Sequence, residues 1–379
     1  MTAGEIRQYF ERRQETIIDA IREIVDIESP SFDVAQSDKV TDWIERQAFS
    51  LPVSPRVEKF AATDVGKHIL IGPFEEPSRH TLIIGHTDTV HPIGTNAKNP
   101  TRIEGDRLYG CGVFDMKANV VLTLEVLRFF AVTGTPLSQP VTAFFSCDEE
   151  VGSATGRGYI ELEAAKADRC FVLEPSADGN VKTGRKGTGM FQLAAYGVPA
   201  HAGLEPEKGA NAVAELARQI PNIHATARPE IGTTVNVTTF HGGTTLNVIP
   251  DHAVGDIDVR YSVASEAERV VDELASLISA DPRVTLELTG AINRPPLERT
   301  NAVVSLYEKA RGLAASFDYE LGEAQVGGGS DGNFVAALGV PVLDGLGLAG
   351  NGAHTLDEYV LLSDIAKRAT LLTLLVMNA

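Results

Sequence analysis

The chain has 379 residues, 43% of them hydrophobic and 22% charged, a globular mixture long enough to bury a large core without covalent staples. A formal net charge of −18 argues against nucleic acid and anionic membrane as partners. Three cysteines, Cys111, Cys147 and Cys170, are too few and of the wrong parity for a disulfide framework, and no apolar run approaches the roughly 18 residues of a membrane span.

The first 16 residues are charged and lack the apolar centre of a signal peptide, so a reducing, cytoplasmic setting is expected. Residues 14–26 place Ile17, Ile21, Ile24 and Val25 on one helical stripe, which stops near Ser29-Pro30-Ser31. Four short apolar runs, 68–71, 81–85, 141–146 and 170–173, read as buried strands, and 116–132 reads as a helix. Strand alternating with helix predicts an α/β domain with a mostly parallel sheet.

The pattern changes near Asp178-Gly179-Asn180. From there to about Ile292 the order is strand, helix, two strands, helix, strand, with helices over 210–220 and 266–280. Ile257, Val259 and Tyr261 alternate with polar residues, as do Val284, Leu286 and Leu288. That alternation marks half-solvated antiparallel strands. Residues 179–292 are thus expected to form an inserted α+β domain, a four-stranded antiparallel sheet with two helices. Residues 1–178 and 293–379 form the host domain, closed by a helix capped by Ser363.

Chemistry-bearing residues gather where the apolar runs end. They are His86 and Asp88 in Gly85-His86-Thr87-Asp88, Asp115 after Gly110-Cys111-Gly112, Asp148-Glu149-Glu150, Glu174 before Pro175, and His354 in a glycine loop. Taken singly, each has an ordinary explanation: an N-cap aspartate, a solvated acidic turn, a loop histidine. Taken together, they belong on one edge of a parallel sheet, where several carboxylates repel one another unless multivalent cations intervene. Mixed imidazole and carboxylate suit zinc, with cobalt or manganese as alternatives. His86, Asp115, Glu150, Glu174 and His354 exceed what one catalytic zinc uses, so two ions sharing a bridging carboxylate are expected.

These stretches, with Ala200-His201-Ala202-Gly203, Asn247-Val248-Ile249-Pro250 and Arg294-Pro295, resemble the zinc exopeptidases. That family includes the glutamate carboxypeptidases, the aminoacylases and succinyl-diaminopimelate desuccinylase. The likeness runs over nearly the whole chain and is nearest the glutamate carboxypeptidase branch. It implies that Asp115 bridges, one oxygen joining His86 and Glu174 and the other His354 and Glu150; which glutamate serves which ion stays open. It further implies that Asp88 orients His86, that Glu149 is the general base on the attacking water, and that the 115–116 peptide is cis. His201 would support the oxyanion in the other subunit of a homodimer formed through the inserted lid and dimerisation domain. Arg294, with Asn247 and the main chain at Gly328 and Gly329, would bind the substrate's α-carboxylate. Cys111 departs from relatives, which more often have proline or arginine there, and is expected to be a small buried residue rather than a ligand.

The activity implied is removal of one C-terminal amino acid from an N-acyl or peptide substrate. A preference for glutamate or aspartate would need a further cation, for which Lys182, Arg185, Lys186 and Lys208 are candidates. An aminoacylase or desuccinylase would share every ligand. A catalytically dead metal binder is disfavoured because Glu149 and all the ligand positions are present.

Overall fold

The computed structural model describes residues 1–73 and 76–378. The chain forms two compact units: Met1–Gly184, Arg299–Gln325 and Ser330–Ala379 in one, Arg185–Glu298 and Val326–Gly329 in the other. The first junction lies six residues beyond the expected 178/179, because the main chain at Val181 and Lys182 bonds to Gly322 and Asp344. The second lies beyond 292/293, because Leu297 and Arg185 exchange both main-chain hydrogen bonds at 3.0 Å.

The larger unit is built on a six-stranded sheet. Its order is Arg56–Ala62, Gly66–Gly72, Val141–Ser146, His80–His86, Ala167–Val172, Val342–Leu343. The first two joins are antiparallel and the remaining three parallel. Every residue of His80–His86 and Val141–Ser146 is buried, which is why these strands appear in the sequence as unbroken apolar runs.

Helix Ala118–Thr133 is buried over most of its length and adds Val120, Val121, Leu122 and Leu124 to the core. Its end is set by Gly134 at φ +64°, a left-handed position that glycine takes without steric cost. Gln14–Val25 buries the expected isoleucine stripe, and Ile365–Met377 contributes Leu371, Leu372 and Leu375.

Ser363 does not cap that last helix. A 3-10 turn, Leu362–Asp364, precedes it, and Ser363 is drawn to Asp106, whose Oδ1 accepts its main-chain N–H at 2.8 Å. Among the described residues no helix is long and apolar enough to cross a membrane.

The smaller unit holds a five-stranded antiparallel sheet. Four strands run Thr234–Val237, His252–Tyr261, Gly187–Tyr196, Thr285–Arg294, and His241–Gly242 adds a fifth along His252–Tyr261. A two-residue strand leaves no periodic trace, hence the expectation of four. Inward residues of His252–Tyr261 alternate with partly exposed ones, and Ile257, Val259 and Tyr261 pack with Phe191, Leu193, Leu216, Val270 and Leu274. Helix Ala212–Ala225 continues through Pro221 rather than stopping before it, anchored by buried Ile223. Ser265–Ala275 stops short of 280, where Ser276 turns its hydroxyl onto the Glu273 carbonyl at 2.7 Å.

Candidate metal centre

The parallel strands present their carboxyl ends together. His86 is the last residue of its strand and lies in register with Ser146, which precedes the acidic turn Glu149–Val151; Glu174 follows Val172, the end of the next strand. Asp115 comes from an irregular turn, Val113–Lys117, in which the Asp115–Met116 peptide is cis. His354, at φ +66°, follows the short strand Gly350–Asn351.

The fold brings His86, Asp115, Glu149, Glu150, Glu174 and His354 into one cluster. His86 Nε2 lies 3.1 Å from Asp115 Oδ1 and 3.4 Å from Glu174 Oε1. His354 Nε2 lies 3.3 Å from Asp115 Oδ2 and 3.2 Å from Glu150 Oε2. The two oxygens of Asp115 therefore face different histidines, each paired with its own glutamate. Donor atoms of His86, Glu149 and Glu174 fall within 4.8 Å of one another, as do those of His86, Asp115 and Glu150.

The electrostatics are those of a site with surplus negative charge. Burial opposes protonation of His86, yet Asp115, Asp88 and Glu174 outweigh it and lift its pKa well above the ordinary value. Asp115 and Glu150 raise His354 to about 10. Burial favours a neutral Asp115, but the two histidines hold its carboxyl far below the usual carboxylate range. Burial raises Glu150 despite His354. Glu150 Oε1 is buried and has no hydrogen-bond partner among the described residues, an arrangement that costs free energy unless a cation fills it. Two imidazoles, several converging carboxylates and an orphaned oxygen fit a pair of divalent cations.

Asp88 meets the His86 ring chiefly through its main chain and has a further part besides. His86 Nδ1–H donates to the Asp88 main-chain carbonyl at 3.0 Å, with the carboxylate Oδ1 further off at 3.5 Å. The carboxylate instead accepts the amides of Glu149 and Glu150, each at 3.1 Å, and the Ser31 hydroxyl at 2.7 Å. One residue thus sets the ring and the acidic turn, because carbonyl and side chain leave the strand end in different directions.

Residues that no motif singles out complete the frame. His68 Nδ1 accepts the Cys147 amide at 3.2 Å, Asp148 Oδ2 accepts the Thr155 amide and hydroxyl at 2.7 Å each, and Asp331 accepts Ser146 Oγ at 2.7 Å. Buried Glu358 accepts the amides of Gly112, Phe114 and Asp115. Its sequence signal is nil, since its partners, mostly main-chain groups, are distant in the chain. Cys111 is buried, touches Asn99 Nδ2 at 3.7 Å, and has a thiol pushed up by burial, the state of a small packing residue.

The remaining expected site residues belong to the smaller unit. His201 lies on a two-residue strand paired with Val248–Ile249 and is exposed. Its Nδ1 accepts the amides of Gly203 and Leu204 at 3.2 and 3.1 Å, which leaves Nε2 as the N–H donor. Asn247 is exposed beside it, its carbonyl accepting the Ala202 amide at 2.9 Å. Arg294 is buried, with Nη1 donating to Asn293 Oδ1 at 3.0 Å. Gly329 packs so closely that a Cβ there would come 2.9 Å from Arg294 Cδ. Arg185, a candidate for reading an acidic substrate side chain, is buried and donates to the Gly328 and Gly329 carbonyls at 3.3 and 2.9 Å. Lys208 is exposed and pairs with Glu205.

Residues 82–378 match the profile of a family described as Peptidase family M20/M25/M40. The chain is 30% identical over 374 residues to carboxypeptidase G2 of Pseudomonas sp. (strain RS-16), covering 96% of this chain and 89% of that protein. It is 30% identical over 310 residues to succinyl-diaminopimelate desuccinylase of Verminephrobacter eiseniae (strain EF01-2), covering 75% and 74%. The fold superposes on aminopeptidase PepT from Bacillus cereus ATCC 10987 with a TM-score of 0.80 at 22% identity, covering 96% of this chain and 98% of that one.

Proposed function

The chain belongs to peptidase family M20/M25/M40, whose relatives are metal-dependent hydrolases of amide bonds, and from that premise we propose that it is a two-zinc carboxypeptidase. The observation that supports two ions is the division of Asp115, one oxygen toward His86 and Glu174 and the other toward His354 and Glu150. In this reading His86 and Glu174 would hold one ion and His354 and Glu150 the other, with Asp115 shared between them. Zinc is the expected metal, with cobalt or manganese able to replace it.

When bound, such ions supply Lewis acidity and lower the pKa of water toward neutrality. The chain's own groups do the rest. Glu149 takes a proton from the attacking water and hands it to the leaving amine. Asp88 fixes the Glu149 and Glu150 amides, and so the aim of both carboxylates. His201 Nε2–H is the proposed donor to the developing oxyanion. Arg294, with Asn247, Gly328 and Gly329, is the proposed seat of the substrate's free α-carboxylate, a charge-assisted contact that a neutral amide cannot reproduce. The enzyme is proposed to work in the cytoplasm as a homodimer formed through the smaller unit.

A comparison of an N-acyl-glutamate with its α-amide tests the reading. The acid should turn over and the amide lose several orders of magnitude in kcat/KM, because the neutral amide cannot make the charge-assisted contact proposed for Arg294. Equal rates would exclude a carboxypeptidase. The desuccinylase relatives support a second reading, a deacylase with the same metal chemistry. A clear preference for N-succinyl amines, or for apolar over acidic C-terminal residues, would select that alternative.

A further inference from the structure

Glu358 lies four residues after His354, outside every group named in the mechanism above. Its side chain is 1% exposed. Its Oε1 accepts the amides of Phe114 and Asp115, both at 2.8 Å. Its Oε2 accepts the Gly112 amide at 2.8 Å and the ring N–H of His91 at 2.9 Å. Four donors saturate the carboxylate, and hydrogen bonds to a charged acceptor are the strong kind.

The contacts tie together the segments that follow His86 and His354 and the turn that carries Asp115. His91 lies five residues past His86. Gly112, Phe114 and Asp115 form the irregular turn that carries the bridging aspartate. Glu358 itself follows His354, and its own carbonyl accepts the Gly110 amide at 3.2 Å. The turn needs such an anchor. Asp115 and Met116 depart from helical geometry, so helix hydrogen bonds do not define the direction in which the Asp115 side chain leaves the main chain. Gly112 sits at φ +72°, and a Cβ there would come 2.4 Å from Thr89 Cγ2, so the turn also fits closely against the segment that follows His86.

We propose that Glu358 is a positioning residue for the metal centre: by gathering the Gly112, Phe114 and Asp115 amides and the His91 ring, it sets how the Asp115 carboxylate divides between His86 and His354. This rests on the two-metal reading. Asp88 holds the Glu149–Glu150 turn by its amides; Glu358 does the same for the bridging turn.

Cobalt binding separates this role from a merely structural one. The wild-type protein, stripped and titrated with Co2+, should bind about two equivalents, and Asp115→Asn should abolish or weaken that binding. If Asp115→Asn binds Co2+ like the wild type, the two-metal reading falls and this inference falls with it. Glu358→Gln turns an amide donor toward the turn's own donors. It should fold with an unchanged far-ultraviolet circular dichroism spectrum, bind Co2+ about 10–100-fold more weakly, as loss of groups that orient ligands does, and shift the Co2+ d–d absorption. Its kcat should fall with KM nearly unchanged. Co2+ affinity and spectrum equal to the wild type, whatever happens to thermal stability, would show a structural anchor only and overturn the proposal. Should Glu358→Gln not fold, His91→Ala removes one of the four bonds and keeps the carboxylate. A several-fold loss of Co2+ affinity with the same spectral shift supports the role, and an unchanged titration overturns it.

Discussion

In the two-metal proposal, protons compete with the ions for the two histidines. His354 is half exposed, yet Asp115 and Glu150 raise it to about 10, and His86 is raised as well. A ring must lose its proton before it can ligate through Nε2. Apparent zinc affinity is therefore expected to rise with pH up to about 10, and binding at pH 7 should release protons. The sign for stability follows from the same shift. With a folded pKa above the unfolded value of 6.5, His354 stabilises the metal-free protein below that value, and the contribution disappears as pH rises through about 10. Calorimetric zinc titrations in buffers of different ionisation enthalpy count the protons; no release at pH 7 would contradict the assignment. Thermal melts of metal-free protein from pH 6.5 to 10 give the second test.

At the level of elements, the parallel strands and helix Ala118–Thr133 are the platform for the proposed ligands. Leu122 is 1% exposed in the main core, so Leu122→Ala should cost about 2–5 kcal/mol by lost burial and cavity formation. Urea melts followed by fluorescence and dichroism would measure it. The cost should appear in the larger unit's transition without a comparable change in zinc affinity measured under native conditions. A loss below about 1 kcal/mol would mean that the helix relaxes into the space. The smaller unit's sheet, with its own core around Phe191, Ile257 and Tyr261, should melt independently of this change.

The whole molecule is proposed to be a dimer formed through the smaller unit. On that unit Met190, Tyr196, Leu204 and Leu246 are 59%, 43%, 77% and 106% exposed, and the proposed interface would cover side chains of this kind. His201 lies on the same unit, separate from the unit that carries the metal cluster. If His201 serves the partner's chemistry, His201→Ala and Glu149→Gln chains, each inactive, should regain up to about a quarter of wild-type activity when mixed at equal amounts, the share expected from one intact site in half of the molecules. Sedimentation would verify dimers and subunit exchange. Exchange without recovery would assign His201 to its own chain or remove it from catalysis.

The sequence by itself determined the α/β class, the inserted antiparallel unit and the six side chains of the cluster, from His86 through His354. The reason is physical: buried strands leave apolar runs, half-solvated strands leave alternation, and acids at the ends of such runs are conspicuous because burial makes them costly. Tertiary structure alone decided the rest. The pairing of Glu174 with His86 and of Glu150 with His354 is a matter of distance, and adjacent strand ends look alike in sequence. The main-chain carbonyl through which Asp88 meets His86, the desertion of the last helix by Ser363 for Asp106, and the hold of Glu358 on the bridging turn all involve partners brought together by folding. Nothing in a residue's type or neighbours reports which distant amide or carbonyl will fall within its reach.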